Sequence, residues 1–158
     1  MLTRTARDIM TRDVVTVTED MKIFSVIELL NEKKISGVPV VDKNDNLVGI
    51  VTKSDLLGNF IDQDIELSLN LSISLKDALG FQEPEKTEEK ISVHEFEVKE
   101  VMSAESITAT EDTPIEKLAE MMIDAKIHRI VIVDDNSISG IVSTHDMLYH
   151  LCGGKKNG

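Results

Sequence analysis

The feature that most constrains this 158-residue chain is an internal repeat. Residues 8–44 align with 100–136 at an offset of 92, with 12 of 37 positions identical, and 49–57 align with 140–148 at an offset of 91, with 5 of 9 identical. DIMTRDVVTVTEDMKI stands against EVMSAESITATEDTPI, and GIVTKSDLL against GIVSTHDML. A copy of roughly fifty residues buries too little surface for a comfortable independent core, so the two copies are expected to share one. Two copies are also too few for a solenoid, which needs three or more.

The elements within each copy read alike. Val14 to Val17 and Ile107 to Ala109 are short β-rich runs. A helix follows Asp20, with Ile23, Val26, Ile27, Leu29 and Leu30 at helical spacing. Its counterpart begins at Thr113-Pro114, where proline suits a first turn, and carries Ile115, Leu118, Met121 and Met122. Buried-strand runs come next, Val38 to Val41 and Ile130 to Val133. Asp42 to Asn46 forms a polar turn, and Leu47 to Val51 a further strand. A short helix starts near Thr52 and near Ser143. The order strand–helix–strand–strand–helix, twice, predicts an α/β (α+β) fold.

Charge divides the chain unevenly. The net of −12 splits into −1 for 1–57, −7 for 58–98 and −4 for 99–158. The expected organisation is therefore a first copy at 1–57, an acidic insert at 58–98, a second copy at 99–152 and a tail at 153–158. In the insert, Ile65, Leu67, Leu69, Leu71, Ile73 and Leu75 alternate with polar neighbours, which predicts a strand over 65–75. FQEPEKTEEK reads as a solvated acidic loop and VHEFEV as a second strand, together a β-hairpin between the copies. The acidity, and 3% aromatics without tryptophan, argue against a nucleic-acid binder. The start MLTRTARDIM has no apolar leader core, no stretch approaches a membrane span, and the single Cys152 suits a reducing cytoplasm.

Chemistry concentrates in GIVTKSD and GIVSTHD. Thr52 or Ser143 ends a strand, and Asp55 or Asp146 follows three residues later at a helix start. Free N–H groups and the helix dipole there favour an anion such as phosphate. A carboxylate beside them can accept two hydrogen bonds from a ribose diol. The same Ser/Thr-x-x-Asp spacing also makes a capping box that needs no ligand. At the preceding helix–strand junction Ser36-Gly37 is replaced by His128-Arg129, a cationic pair that could meet a phosphate or cap a helix C-terminus. The four histidines lack metal-cluster spacing, no phosphate loop or nucleophile elbow appears, and the patterned methionines read as core filler. No catalytic or metal-binding residue is expected.

DIMTRDVVTV, SGVPVVD and GIVTKSDLL, repeated in order as EVMSAESITAT, HRIVIVD and GIVSTHDML, closely resemble a tandem pair of CBS (cystathionine β-synthase) domains over 8–57 and 100–150. The resemblance implies two β-α-β-β-α repeats packed through their sheets with pseudo-twofold symmetry, commonly dimerised. It implies a regulatory module, not an enzyme, that binds AMP, ADP, ATP or S-adenosylmethionine and modulates a partner protein. Carried over residue by residue, Asp55 and Asp146 would hold ribose hydroxyls, and Thr52 and Ser143 would contact ribose or phosphate. The backbone around Val38-Pro39 and Ile130-Val131, with Thr16 and Thr108, would flank the base. His128 and Arg129 would meet phosphate. Because the first copy lacks the His-Arg pair, the two clefts are expected to be unequal. The rival reading is a ligand-free dimerisation scaffold that uses the inserted strand.

Overall fold

A computed structural model describes residues 4–56 and 96–154. The insert's strand at 65–75 and its acidic loop lie outside the described residues. Of VHEFEV only the end is described: Glu97 forms a single antiparallel bridge with Lys22, and Val98 opens a helix, so no strand continues there.

In chain order the elements are α1 (Ala6–Ile9), β1 (Val17–Thr18), α2 (Ile23–Lys33), β2 (Gly37–Val41), β3 (Leu47–Thr52), a helical stretch at 53–56, α3 (Val98–Val101), β4 (Thr108–Ala109), α4 (Ile115–Ala125), β5 (Arg129–Asp134), β6 (Ser137–Ser143) and α5 (Thr144–Leu151). Two three-stranded sheets result, ordered β1-β2-β3 and β4-β5-β6. β1 pairs parallel to β2 with Val17 opposite Val40, and β4 pairs parallel to β5 with Ala109 opposite Ile132, the same register 92 residues on. β5 and β6 run antiparallel. The secondary-structure reading of the repeat holds, with three adjustments. A short helix that the reading lacks, α1 or α3, precedes each first strand; the first strands are two residues each, β1 leaving out Val14 to Thr16; and Pro114 is the residue before the helix rather than in its first turn.

The chain folds into two compact units that interleave in sequence: Met1–Val15, Lys43–Leu47 and Glu105–Gly158 form one, Thr16–Asp42 and Val48–Ala104 the other. The first is called here the Asp146 unit and the second the Asp55 unit. Each therefore takes its leading segment from the other copy. In the Asp146 unit, Ala6 N–H donates to Thr113 O (2.8 Å), Arg7 N–H to Glu111 O (3.0 Å) and Ile115 N–H to Arg4 O (3.1 Å). Thr11 and Ile141 exchange both backbone bonds at 2.9 and 3.0 Å. In the Asp55 unit the same set recurs: Val98 to Met21 O (2.9 Å), Lys99 to Glu19 O (3.0 Å), Ile23 to Phe96 O (2.9 Å), and Ser103 with Ile50 (2.9 and 3.0 Å).

This exchange explains the glycine of each GIV motif. A Cβ on Gly140 would stand 2.6 Å from Met10 Sδ and 2.9 Å from Thr11 O. On Gly49 it would stand 2.7 Å from Ser103 O. Two backbones meet there, and only glycine leaves room. The core of the Asp146 unit draws on both copies. Ala6, Ile9, Met10, Ala109, Leu118, Met122, Ile130, Ile132, Val142 and Met147 form a buried cluster wholly inside the Asp146 unit. Three of its members come from the borrowed segment, which supplies apolar surface that fifty contiguous residues lack. Side-chain pairs of Arg7 with Glu111 (2.8 Å) and Asp112 (3.1 Å) fasten that segment from outside.

Candidate functional site

In the Asp146 unit the β5–β6 register sets Arg129 directly opposite Ser143. Ser143 ends β6 with extended backbone and becomes the N-cap of α5. Asp146 N–H donates to Ser143 Oγ (3.2 Å), while Ser143 N–H and Oγ–H donate to Asp146 Oδ2 (2.8 and 2.9 Å). This reciprocal cap holds the carboxylate, and Asp146 is only 8% exposed. Thr144 N–H donates to His128 O (3.0 Å), tying the helix start to the start of β5. His128, Arg129, Ser143 and Asp146 thus converge through strand pairing and one cap. Thr108 enters the same sheet opposite Val131. Ile130 is fully buried in the core cluster, so its side chain packs and only its backbone can face a cleft.

The Asp55 unit repeats the cap. Thr52 N–H and Oγ1–H donate to Asp55 Oδ2 (2.8 and 2.9 Å), and Asp55 N–H donates to Thr52 Oγ1 (3.1 Å). Lys53 N–H donates to Ser36 O (2.9 Å), matching the Thr144–His128 bond. Here the other carboxylate oxygen, Oδ1, accepts Ser103 Oγ–H at 3.3 Å. Thr16 is exposed just before β1, and Val38 and Pro39 are buried in β2. Each copy's Ser/Thr–Asp pair and the residues expected to flank a base therefore lie in one unit, and the His-Arg pair lies in the same unit as Asp146.

A pocket of about 350 Å³ lies against Asp146, lined also by Arg4, Asp8, Ile9, Tyr149 and His150. Arg4, Asp8, Tyr149 and His150 are not among the site residues that the sequence predicts. His150 was findable, since it lies four residues after Asp146 on one helical face. Arg4 was not, because linear alignment files it with the first copy. Its counterpart 92 residues on is Phe96, so the inequality expected from the His-Arg pair extends to the borrowed segment. Cys152 caps the C-terminus of α5 and is exposed. Among the described residues no cluster of His, Cys, Asp or Glu is arranged to hold a metal, and no helix is long and apolar enough to cross a membrane.

Residues 6–62 and 98–153 each match the family model of the CBS domain. The chain belongs to the CBS domain family. It is 33% identical over 150 residues to protein MJ1426 of Methanocaldococcus jannaschii, covering 90% of this chain and 88% of that protein. It is 28% identical over 151 residues to the 5'-AMP-activated protein kinase subunit gamma of Dictyostelium discoideum, covering 91% of this chain but 23% of that protein. The crystal structure of CBSX2 in complex with AMP is similar at a TM-score of 0.69 and 26% identity, covering 95% of this chain and 97% of that one. The two three-stranded sheets with their helices are thus the α+β fold of a CBS pair.

Proposed function

We propose that this CBS pair is a regulatory sensor that binds an adenosyl nucleotide and modulates a partner protein through a ligand-dependent change of conformation. The carrying observation is the Asp146 carboxylate, fixed by Ser143 beside a pocket that also holds cationic and aromatic side chains. A carboxylate so placed suits a ribose diol. The AMP in the CBSX2 crystal structure, and the AMP-activated kinase subunit among the relatives, support an adenosine nucleotide as the ligand class. In this reading Asp55 and Asp146 take the ribose, and Thr52 and Ser143 contact ribose or phosphate. The backbone at Val38-Pro39 and Ile130, with Thr16 and Thr108, flanks the base, while His128 and Arg129 add positive charge to the Asp146 unit. The role is regulatory rather than catalytic, and the protein acts as a cytoplasmic homodimer.

Titration calorimetry with AMP, ADP, ATP and S-adenosylmethionine tests the reading. Asp146→Asn retains a capping oxygen but removes the anionic acceptor, and should weaken the bound nucleotide about tenfold, the scale of one charge-assisted hydrogen bond. Heat from none of the four compounds sinks the proposal. That outcome would favour the ligand-free scaffold, whose support is that both caps are complete without a ligand.

A further inference from the structure

Arg4 reaches the Asp146 pocket by a route that the linear repeat hides. It belongs in sequence to the head of the first copy, yet its carbonyl accepts Ile115 N–H at 3.1 Å and fastens it to the start of α4. Its Nη1 donates to the His150 imidazole, 2.7 Å from Nε2 and 3.1 Å from Nδ1. The neighbouring Arg7 and Arg12 both pair with Glu111, whereas Arg4, among the described residues, makes no ion pair and faces an imidazole. The two carboxylates that share the pocket both serve caps. Asp8 Oδ2 accepts the Thr5 amide at 2.8 Å, and Asp146 Oδ2 accepts the Ser143 amide and hydroxyl, so each has an oxygen committed to a cap.

Spacing adds a second argument. Asp146 and His150 are separated by about 6 Å along α5, four residues at 1.5 Å each. That is comparable to the reach from the ribose diol of a nucleotide to its own 5'-phosphate. A ribose held by Asp146 would therefore bring a 5'-phosphate to the level of His150 and Arg4. A guanidinium is well shaped for that group, presenting parallel N–H donors to its oxygens. The other copy has Phe96 at the position of Arg4 and Asn59 at that of His150, so it carries neither group.

We infer that the Asp146 unit reads the 5'-phosphate of its ligand through Arg4 and His150, and so selects a phosphorylated adenosine over adenosine itself and over the sulfonium of S-adenosylmethionine. The inference rests on the proposal that Asp146 holds the ribose of an adenosyl ligand. It is tested by calorimetric titration of the full chain in an Asp55→Asn background, with AMP, adenosine and S-adenosylmethionine as probes. AMP should bind at least about tenfold more tightly than adenosine, and Arg4→Gln should abolish that advantage while leaving adenosine affinity unchanged. AMP affinity untouched by Arg4→Gln overturns the inference, as does S-adenosylmethionine or adenosine binding as tightly as AMP. Equal weakening of AMP and adenosine also overturns it, because Arg4 would then hold the segment rather than read phosphate. Binding of none of the three probes refutes the underlying adenosyl reading, and this one with it.

Discussion

Replacing Gly140 with alanine probes the exchange of leading segments directly. The new methyl would stand 2.6 Å from Met10 Sδ, 2.9 Å from Met10 Cγ and 2.9 Å from Thr11 O. The thioether could swing aside, but Met10 is 7% exposed and packed in the core, so movement there disturbs Ile9 and Met147. The Thr11 carbonyl has less freedom still, because it accepts Ile141 N–H at 3.0 Å while Thr11 N–H donates back at 2.9 Å. Relief requires either off-rotamer packing or lengthening of that bonded pair. Overpacking of a tight site typically costs 1–3 kcal/mol, and the backbone component puts Gly140→Ala at about 2 kcal/mol. Urea denaturation should show a lower midpoint, and hydrogen exchange should show the Thr11 and Ile141 amides losing protection before those of α4. Because Arg4 rides on the same segment, AMP affinity should fall as well. A variant as stable as the parent, with both amides protected as before, would refute the claim that the glycine exists for this close approach.

Lys126 closes α4 with φ 54°, a left-handed conformation that costs a lysine but not a glycine. Lys126→Gly should therefore raise stability by about 0.5 kcal/mol after the entropy of the unfolded glycine is subtracted, readable as a higher denaturation midpoint. Lys99 and then Lys22 hold the Glu97 carboxyl below the usual carboxylate range, at 2.8 and 3.2 Å. A depressed folded pKa gives stability that is present above the unfolded carboxylate pKa and is lost as pH falls through the folded one. Glu97→Gln should lower stability at neutral pH and leave the acid end of a stability–pH curve nearly unchanged, so that the acid limb flattens, and an unaltered acid limb would refute the pairing's contribution.

The elements of the fold were legible because each copy carries its own periodicity. The helical spacing from Ile23 to Leu30 and the apolar runs at 38–41 and 130–133 mark α2, β2 and β5 almost to the residue. The capping box was legible too, since a Ser/Thr and an Asp three residues apart interact locally whatever the surroundings. Pro114 lies one position earlier than its residue type suggests, at the N-cap rather than in the first turn. Its fixed φ suits either place, and the extended ψ of 145° that decides between them is not written in the residue type.

Local spacing and duplication thus sufficed for the CBS pair, its strands and helices, and the Ser/Thr–Asp pairs at two helix starts. Only the tertiary structure decided that α1 packs with the second copy and α3 with the first, that each GIV glycine exists to admit a borrowed backbone, and that Arg4 stands beside Asp146. The physical reason is the range of the interactions. Caps and periodicity join residues three or four apart, whereas the bonds of Arg4 with Ile115 and His150 close loops of more than a hundred residues, for which no local pattern carries a signal.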